Sequence, residues 1–266
     1  MSRGTGQSAS PSAPVRVVIS VNGRPVQIET SAPDRQSRLD ELLPALRAID
    51  DRLIETVVAS IEGGAERVTC TKGCSACCRA QPVPVTPPEA LALASLVERL
   101  PEPRRAKVRA AFAAAAERLR AAGLYDVYMC HDPELTRETA RAIARRYFAL
   151  SIACPFLGDD ACSIYADRPF VCRQYLVTSP PDLCRAPLDN PVKPVRTPAA
   201  FATAMLAAGE TLSGRAQWTV PLVLALDYVR ANRTDLMRTY DAKTALGHVL
   251  RRLPLSNHPL SPTKAN

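Results

Sequence analysis

The stretch "CTKGCSACC", residues 70–78, sets four thiols within nine residues. Cys70, Cys74 and Cys77 stand in a C-x3-C-x2-C spacing, and Cys78 follows at once. A C-x2-C pair with a turn between its members lets two thiolates converge on one ion, and Gly73 supplies the permissive backbone such a knuckle needs. Adjacent residues project differently. Cys77 and Cys78 are therefore expected to serve different metals, or different irons of one cluster.

Partner thiols lie in "CPFLGDDACSIYADRPFVCRQYLVTSPPDLC", which contributes Cys154, Cys162, Cys172 and Cys184. The two groups together supply eight thiols, enough for two four-thiolate sites or for one iron–sulfur cluster and one zinc. Gly158-Asp159-Asp160 is read as the turn between Cys154 and Cys162. Thiolate-rich sites carry surplus negative charge, and Arg168 and Arg173 are placed in sequence to orient the thiolates and temper that charge. Cys130 lies outside both groups and is expected to be a small apolar residue of the core. Of the three histidines only His131, beside Cys130, is a ligand candidate; His248 belongs to a helical stripe and His258 to the C-terminal tail.

Composition narrows the function. Nine cysteines are an odd count, and structural disulfides do not persist in a reducing compartment, so free or metal-bound thiols in the cytosol are expected. No apolar run approaches the roughly 20 residues that span a bilayer, the nearest being "VPLVLAL" at 220–226, and no charged-then-apolar leader opens the chain. No membrane association is expected. The formal net charge of +8 comes from arginines spread along helical segments, without zinc-finger spacing or an RNA-binding aromatic signature. It is read as a solvated basic face rather than a nucleic-acid site, and a protein partner, unidentified, is compatible with it.

Periodicity gives a mainly α fold: a helical domain around a cysteine-rich metal-binding loop region, with an N-terminal β-hairpin. In "VRVVISVNGRPVQIET", residues 15–30, Asn22-Gly23 is the favoured type I′ turn. Pairing Val21 with Arg24 places Ile19 opposite Val26, Val17 opposite Ile28 and Pro25 opposite Ser20, with the apolar residues on one face. From about residue 36 to 62 one helical stripe runs from Leu39 to Ile61, with Pro44 as a kink or a fresh start and Gly63-Gly64 as its end. "TPPE" at 86–89 predicts a capping box opening a helix to Leu100, followed by helices from Pro101 to Ala122 and near 133–151. Residues 154–196 show no sustained period and are expected to be loops and short turns held by something other than a core. Helical patterns resume at 197–206, 219–231 and 235–253. The expected organisation is a disordered tail at 1–14, a hairpin at 15–34, a metal-binding domain at 35–196, C-terminal helices at 197–254 packed on it, and a disordered tail at 255–266.

The quoted motifs, with "VPVTPPEA", "CPFL", "CSIYADRP" and "CRQY" in this order, resemble the YkgJ-type cysteine-cluster family, also called CxxCxxCC, a zinc- or iron-chelating domain family. The resemblance covers roughly residues 66–185. It implies metal binding by Cys70, Cys74, Cys77, Cys78, Cys154, Cys162, Cys172 and Cys184, with zinc or iron, including a [4Fe-4S] cluster, as the cofactor. A relative, flagellin lysine-N-methylase, is similar in its cysteine motif and methylates protein lysines with S-adenosylmethionine. By that resemblance the alternative function is a protein-lysine methyltransferase-like enzyme carrying an iron–sulfur cluster. No glycine-rich nucleotide loop follows a strand here, and no general base or open ligand position is evident. The leading expectation is a cytosolic metal-binding protein that chelates zinc or an iron–sulfur cluster through its clustered cysteines, its biological role unassigned, with a metal-clamped structural or interaction module and a redox or iron–sulfur protein both favoured over the enzyme.

Overall fold

Alternation in residues 15–30 produces the hairpin. A computed structural model of the protein describes residues 11–21 and 23–253. In it strand β1 (Ser12–Val21) pairs antiparallel with β2 (Arg24–Pro33), matching Val21 to Arg24, Ser20 to Pro25, Ile19 to Val26 and Val17 to Ile28. The register is the one the apolar pattern requires, and the ladder extends outward to Ser12 opposite Pro33. Gly23 takes φ +76°, the left-handed conformation that a type I′ turn demands. Asn22, the segment 1–10 and the tail at 255–266 with His258 lie outside the described residues.

The stripe that follows divides. Residues Gln36–Ser37 form a short strand, β3, Leu39–Leu42 a single 3-10 turn, and helix α1 runs Leu43–Glu62. Pro44 falls in the first turn of α1, where its missing N–H is no loss, so it marks a start rather than a kink. Gly63 ends the helix, its N–H bonding back to Ala59 O at 3.0 Å. Buried Val17, Ile19, Val21 and Ile28 of the hairpin pack on Leu46, Ile49 and Leu53 of α1. Each such side chain, fully buried, contributes about 1.5–3 kcal/mol, which stabilises a two-stranded ribbon that would be marginal alone.

Strand β4 (Pro84–Val85) leads into α2 (Pro87–Arg99), α3 (Arg104–Ala121), α4 (Tyr125–Met129) and α5 (Arg137–Ala149). Ile143 and Tyr147 of α5 and Leu150, which caps it, face one core together with Leu119 of α3, as the period predicts. The segment 154–196 contains only short pieces: β5 (Leu157–Gly158), β6 (Ala161–Cys162), a 3-10 turn at Tyr165–Asp167, α6 (Phe170–Gln174) and a 3-10 turn at Pro181–Arg185. Helix α7 (Phe201–Ser213), strand β7 (Val220–Pro221), α8 (Ala225–Ala231), α9 (Arg233–Leu236), strand β8 (Tyr240–Asp241) and α10 (Ala242–Leu250) complete the chain.

The continuous helix expected at 235–253 is interrupted. Tyr240 and Asp241 pair with Ser37 and Gln36 of β3, and the Asp241 carboxylate accepts from Thr244 N at 2.8 Å, capping a new helix. The same contact explains why residues 36 and 37 are strand and not helix. The chain is mainly helical, with the N-terminal antiparallel hairpin as its largest sheet among the described residues. No helix among the described residues is long and apolar enough to cross a membrane.

Candidate metal centre

Backbone bonds outside the helices position most of the thiols. Thr69 N donates to Val177 O at 2.9 Å and Thr69 Oγ1 to Ser179 O at 2.6 Å, laying the start of the thiol run beside residues 175–179. Gly73, at φ +100°, lets the chain reverse between Cys70 and Cys74. Cys154 N donates to Cys78 O at 2.7 Å, which brings the second group of thiols directly onto the first. Gln81 Nε2 reaches Cys184 O at 3.1 Å. Leu157 pairs with Cys162 and Gly158 with Ala161, and Asp159 and Asp160 both adopt positive φ in the turn between them, as the Gly-Asp-Asp reading requires. An Arg79–Asp160 ion pair ties that turn to the first cysteine segment.

Amide donors aim at the sulfurs. Val177 N donates to Cys70 Sγ at 3.3 Å. Cys154 accepts from the backbone N–H groups of Phe156 and Leu157, Cys162 from that of Ile164, and Cys184 from the phenol of Tyr175. Such donors favour the thiolate over the thiol. Burial opposes them: it pushes Cys154 up to about 12, raises Cys162 and Cys184, and drives Cys172 well above the usual thiol range. A bound cation would remove that opposition, since it makes deprotonation of its ligands favourable. The donor set therefore fits a thiophilic metal.

Mutual influence sorts the thiols. Cys70 is raised by burial and then by Cys74 and Cys184, while Cys184 in turn feels Cys74. Cys172 is raised by burial and by Cys154, Cys78 and Cys162. Cys77 stands between: it donates its S–H to Cys78, which holds Cys77 protonated and lowers Cys78, and it also feels Cys172 and Cys74. As the side chains stand, no three His, Cys, Asp or Glu among the described residues already close on a single point as a metal site.

The two arginines diverge. Arg168 lowers Cys70, Cys78, Cys162 and Cys172, lying with its guanidinium 3.8 Å over the Tyr165 ring and near both thiol groups. Arg173 turns away from the sulfurs. It is buried, donating through Nε to Arg168 O at 2.9 Å, and pairs with Asp51 and with Ala166 O. Cys130 is exposed at the end of α4, not buried in the core. A five-residue helix presents too little apolar surface to draw it inward. The ring of His131 beside it lies tilted against that of Trp218, with centroids 5.3 Å apart.

Sequence reading found Glu89 as half of a capping box and missed its second bond. Oε2 accepts from Thr86 N at 2.9 Å and Thr86 Oγ1 at 2.8 Å, while Oε1 accepts from Phe170 N at 2.7 Å. One fully buried carboxylate thus caps α2 and holds the first residue of α6, the helix that carries Cys172. Beneath α6, Gln174 Nε2 donates to buried Asp50 at 2.8 Å and to Ala199 O at 2.8 Å. No local signal marks either contact, because the partners are more than 80 residues away in each case but one.

Eight thiols carried on turns and short elements, several of them supplied with backbone or phenol donors, are of the residue type that binds borderline metals. Residues 69–189 match the CxxCxxCC family model, described as a "Putative zinc- or iron-chelating domain". The comparison with curated proteins gives no match, and that with solved structures gives none.

Proposed function

We propose that the eight cysteines bind zinc or iron as two four-thiolate sites, one formed by Cys70, Cys74, Cys77 and Cys184, the other by Cys78, Cys154, Cys162 and Cys172. The observation that carries this reading is the sorting of the thiols, in which Cys70, Cys74 and Cys77 pack against buried Cys184 while Cys78, Cys154 and Cys162 act together on Cys172. Neighbouring Cys77 and Cys78 then fall to different metals, with Cys77 rotating from its bond to Cys78 as it loses its proton. Arg168, close to both groups, offsets the surplus charge of a divalent ion held by four thiolates. Every position of each site is filled by protein, so the metals organise residues 154–184 rather than present a vacant position to substrate. Nine unpaired cysteines suit a reducing compartment, and we place the protein in the cytoplasm.

Anaerobic purification with elemental and acid-labile sulfide analysis tests the proposal. About two metal equivalents per chain without sulfide is the expected result. Roughly four irons with matching sulfide would replace it with a single cluster.

A further inference from the structure

A cleft separate from the thiols opens between the first turn of α2, the C-terminal end of α7, and helices α8 and α9. Its wall includes Pro88, Leu91 and Leu236 on the apolar side and Arg215, Asp235 and Arg238 on the polar side. Trp218 also lines it, held edge-to-face against Tyr228 at 5.9 Å. The indole Nε1 of Trp218 is buried and has no acceptor among the described residues. A buried donor without an acceptor costs free energy that an incoming acceptor would recover.

Charge is unbalanced in the same place. Asp235 is shared by two guanidiniums, Oδ2 with Arg215 at 2.9 Å and Oδ1 with Arg238 at 3.1 Å. Asp40, also in the wall, is already neutralised by a two-pronged bond to Arg38 at 2.9 and 3.1 Å. One positive charge is left over at the cleft. Its volume is about 80 Å3, and since one water-sized probe takes roughly 10–15 Å3, the space suits a body of about six non-hydrogen atoms, too small for a nucleotide.

We infer that this cleft binds a small aliphatic carboxylic acid, its carboxylate accepting from Trp218 Nε1 and facing the Arg215–Asp235–Arg238 triad, its chain lying on Pro88, Leu91 and Leu236. The inference is independent of the metal proposal, because none of these residues is a cysteine or contacts one of the thiol segments through a bond described above.

Trp218 is the sole tryptophan of the chain, so its fluorescence reports the site directly. The metal-loaded, full-length protein is titrated with butyrate, with its neutral counterpart butyramide, and with inorganic phosphate. Butyrate should shift the emission saturably with half-saturation on the order of 1 mM, and butyramide and phosphate should bind at least about tenfold more weakly. R215A and R238A, both at exposed positions, should each weaken butyrate. W218F, followed by ligand-observed NMR, should weaken it about tenfold while leaving the melting temperature near that of the wild type. No saturable response below about 20 mM, an equal response to butyramide or to phosphate, or unchanged binding in R215A and W218F would each overturn the assignment.

Discussion

The carboxylate of Glu89 accepts the backbone N–H of Phe170 at 2.7 Å, joining the N-terminus of α2 to the helix that bears Cys172. Its other oxygen is occupied by Thr86, so both oxygens are satisfied without water. Burial raises its pKa, and the N–H and hydroxyl donors of Thr86 and Phe170 counter that. The bond lets a helical frame dictate where a thiol in an otherwise irregular segment sits.

Replacing Glu89 should therefore damage both stability and the metal centre. E89A strands two buried N–H groups and is expected to cost about 3–5 kcal/mol, while E89Q, whose amide oxygen still accepts, should cost about 1–2 kcal/mol. Chemical denaturation of the two variants measures this. A cost for E89A within about 0.5 kcal/mol of zero would mean that the bond carries nothing.

Serine substitutions should separate the thiols by site. C77S is expected to lower the metal bound with Cys74 and Cys184, and C78S that bound with Cys154, Cys162 and Cys172, each removing about one equivalent. Exposed Cys130, outside both thiol groups in sequence, should tolerate C130S with unchanged stoichiometry and a stability change within about 0.5 kcal/mol. Metal analysis of the three purified proteins decides it; loss of metal from C130S would show that the ligand set is wrongly drawn.

Chelation should loosen one part of the chain. Binding energy at a thiolate site is folding energy for the loops that supply the ligands. Residues 154–184 contain only short elements, whereas α1 is anchored by Leu46, Ile49 and Leu53 in the hairpin core. Limited proteolysis after metal removal should cut first between Cys154 and Cys184 and leave α1 protected. Equal cleavage with and without metal would contradict this.

Asp50 supplies a pH test. It is fully buried, and loss of solvation pushes its carboxyl up to about 7, against the bond from Gln174 that lowers it. Since the folded pKa lies above the unfolded value of about 3.9, the fold favours the protonated acid. That stability is complete below about pH 4 and is lost as pH rises through about 7, at roughly 1.4 kcal/mol per unit. D50N removes the titration, so the stability difference, wild type minus D50N, should fall between about pH 5.5 and 7 and level off above it. Paired denaturation curves of the metal-loaded proteins check it, and a flat difference over that range would refute it.

Local features of the chain were legible without coordinates. Alternation around Asn22-Gly23 specifies the register of Val17 with Ile28, because a slip of one residue would turn every apolar side chain to water. Pro44 and the Thr86–Glu89 box mark helix starts by the same local logic of orphan N–H groups. The thiol spacing, with Gly73 and Gly158-Asp159-Asp160, announces a metal-binding segment, since convergence of nearby ligands depends only on short turns.

Tertiary structure decided what depends on distant partners. Ser37 and Gln36 became a strand because Tyr240 and Asp241 came alongside them, and the same pairing broke the C-terminal helical pattern. Arg173 left the thiols for Asp51 because a guanidinium in a buried position needs a carboxylate and carbonyls around it, and those lay beneath α6. Cys130 stayed exposed because α4 is too short to bury it. Which thiols become neighbours is likewise a matter of chain closure: Cys184 comes to pack with Cys70 and Cys74, beside the contacts of residues 69–70 with 175–179, a juxtaposition that no spacing within either cysteine segment encodes.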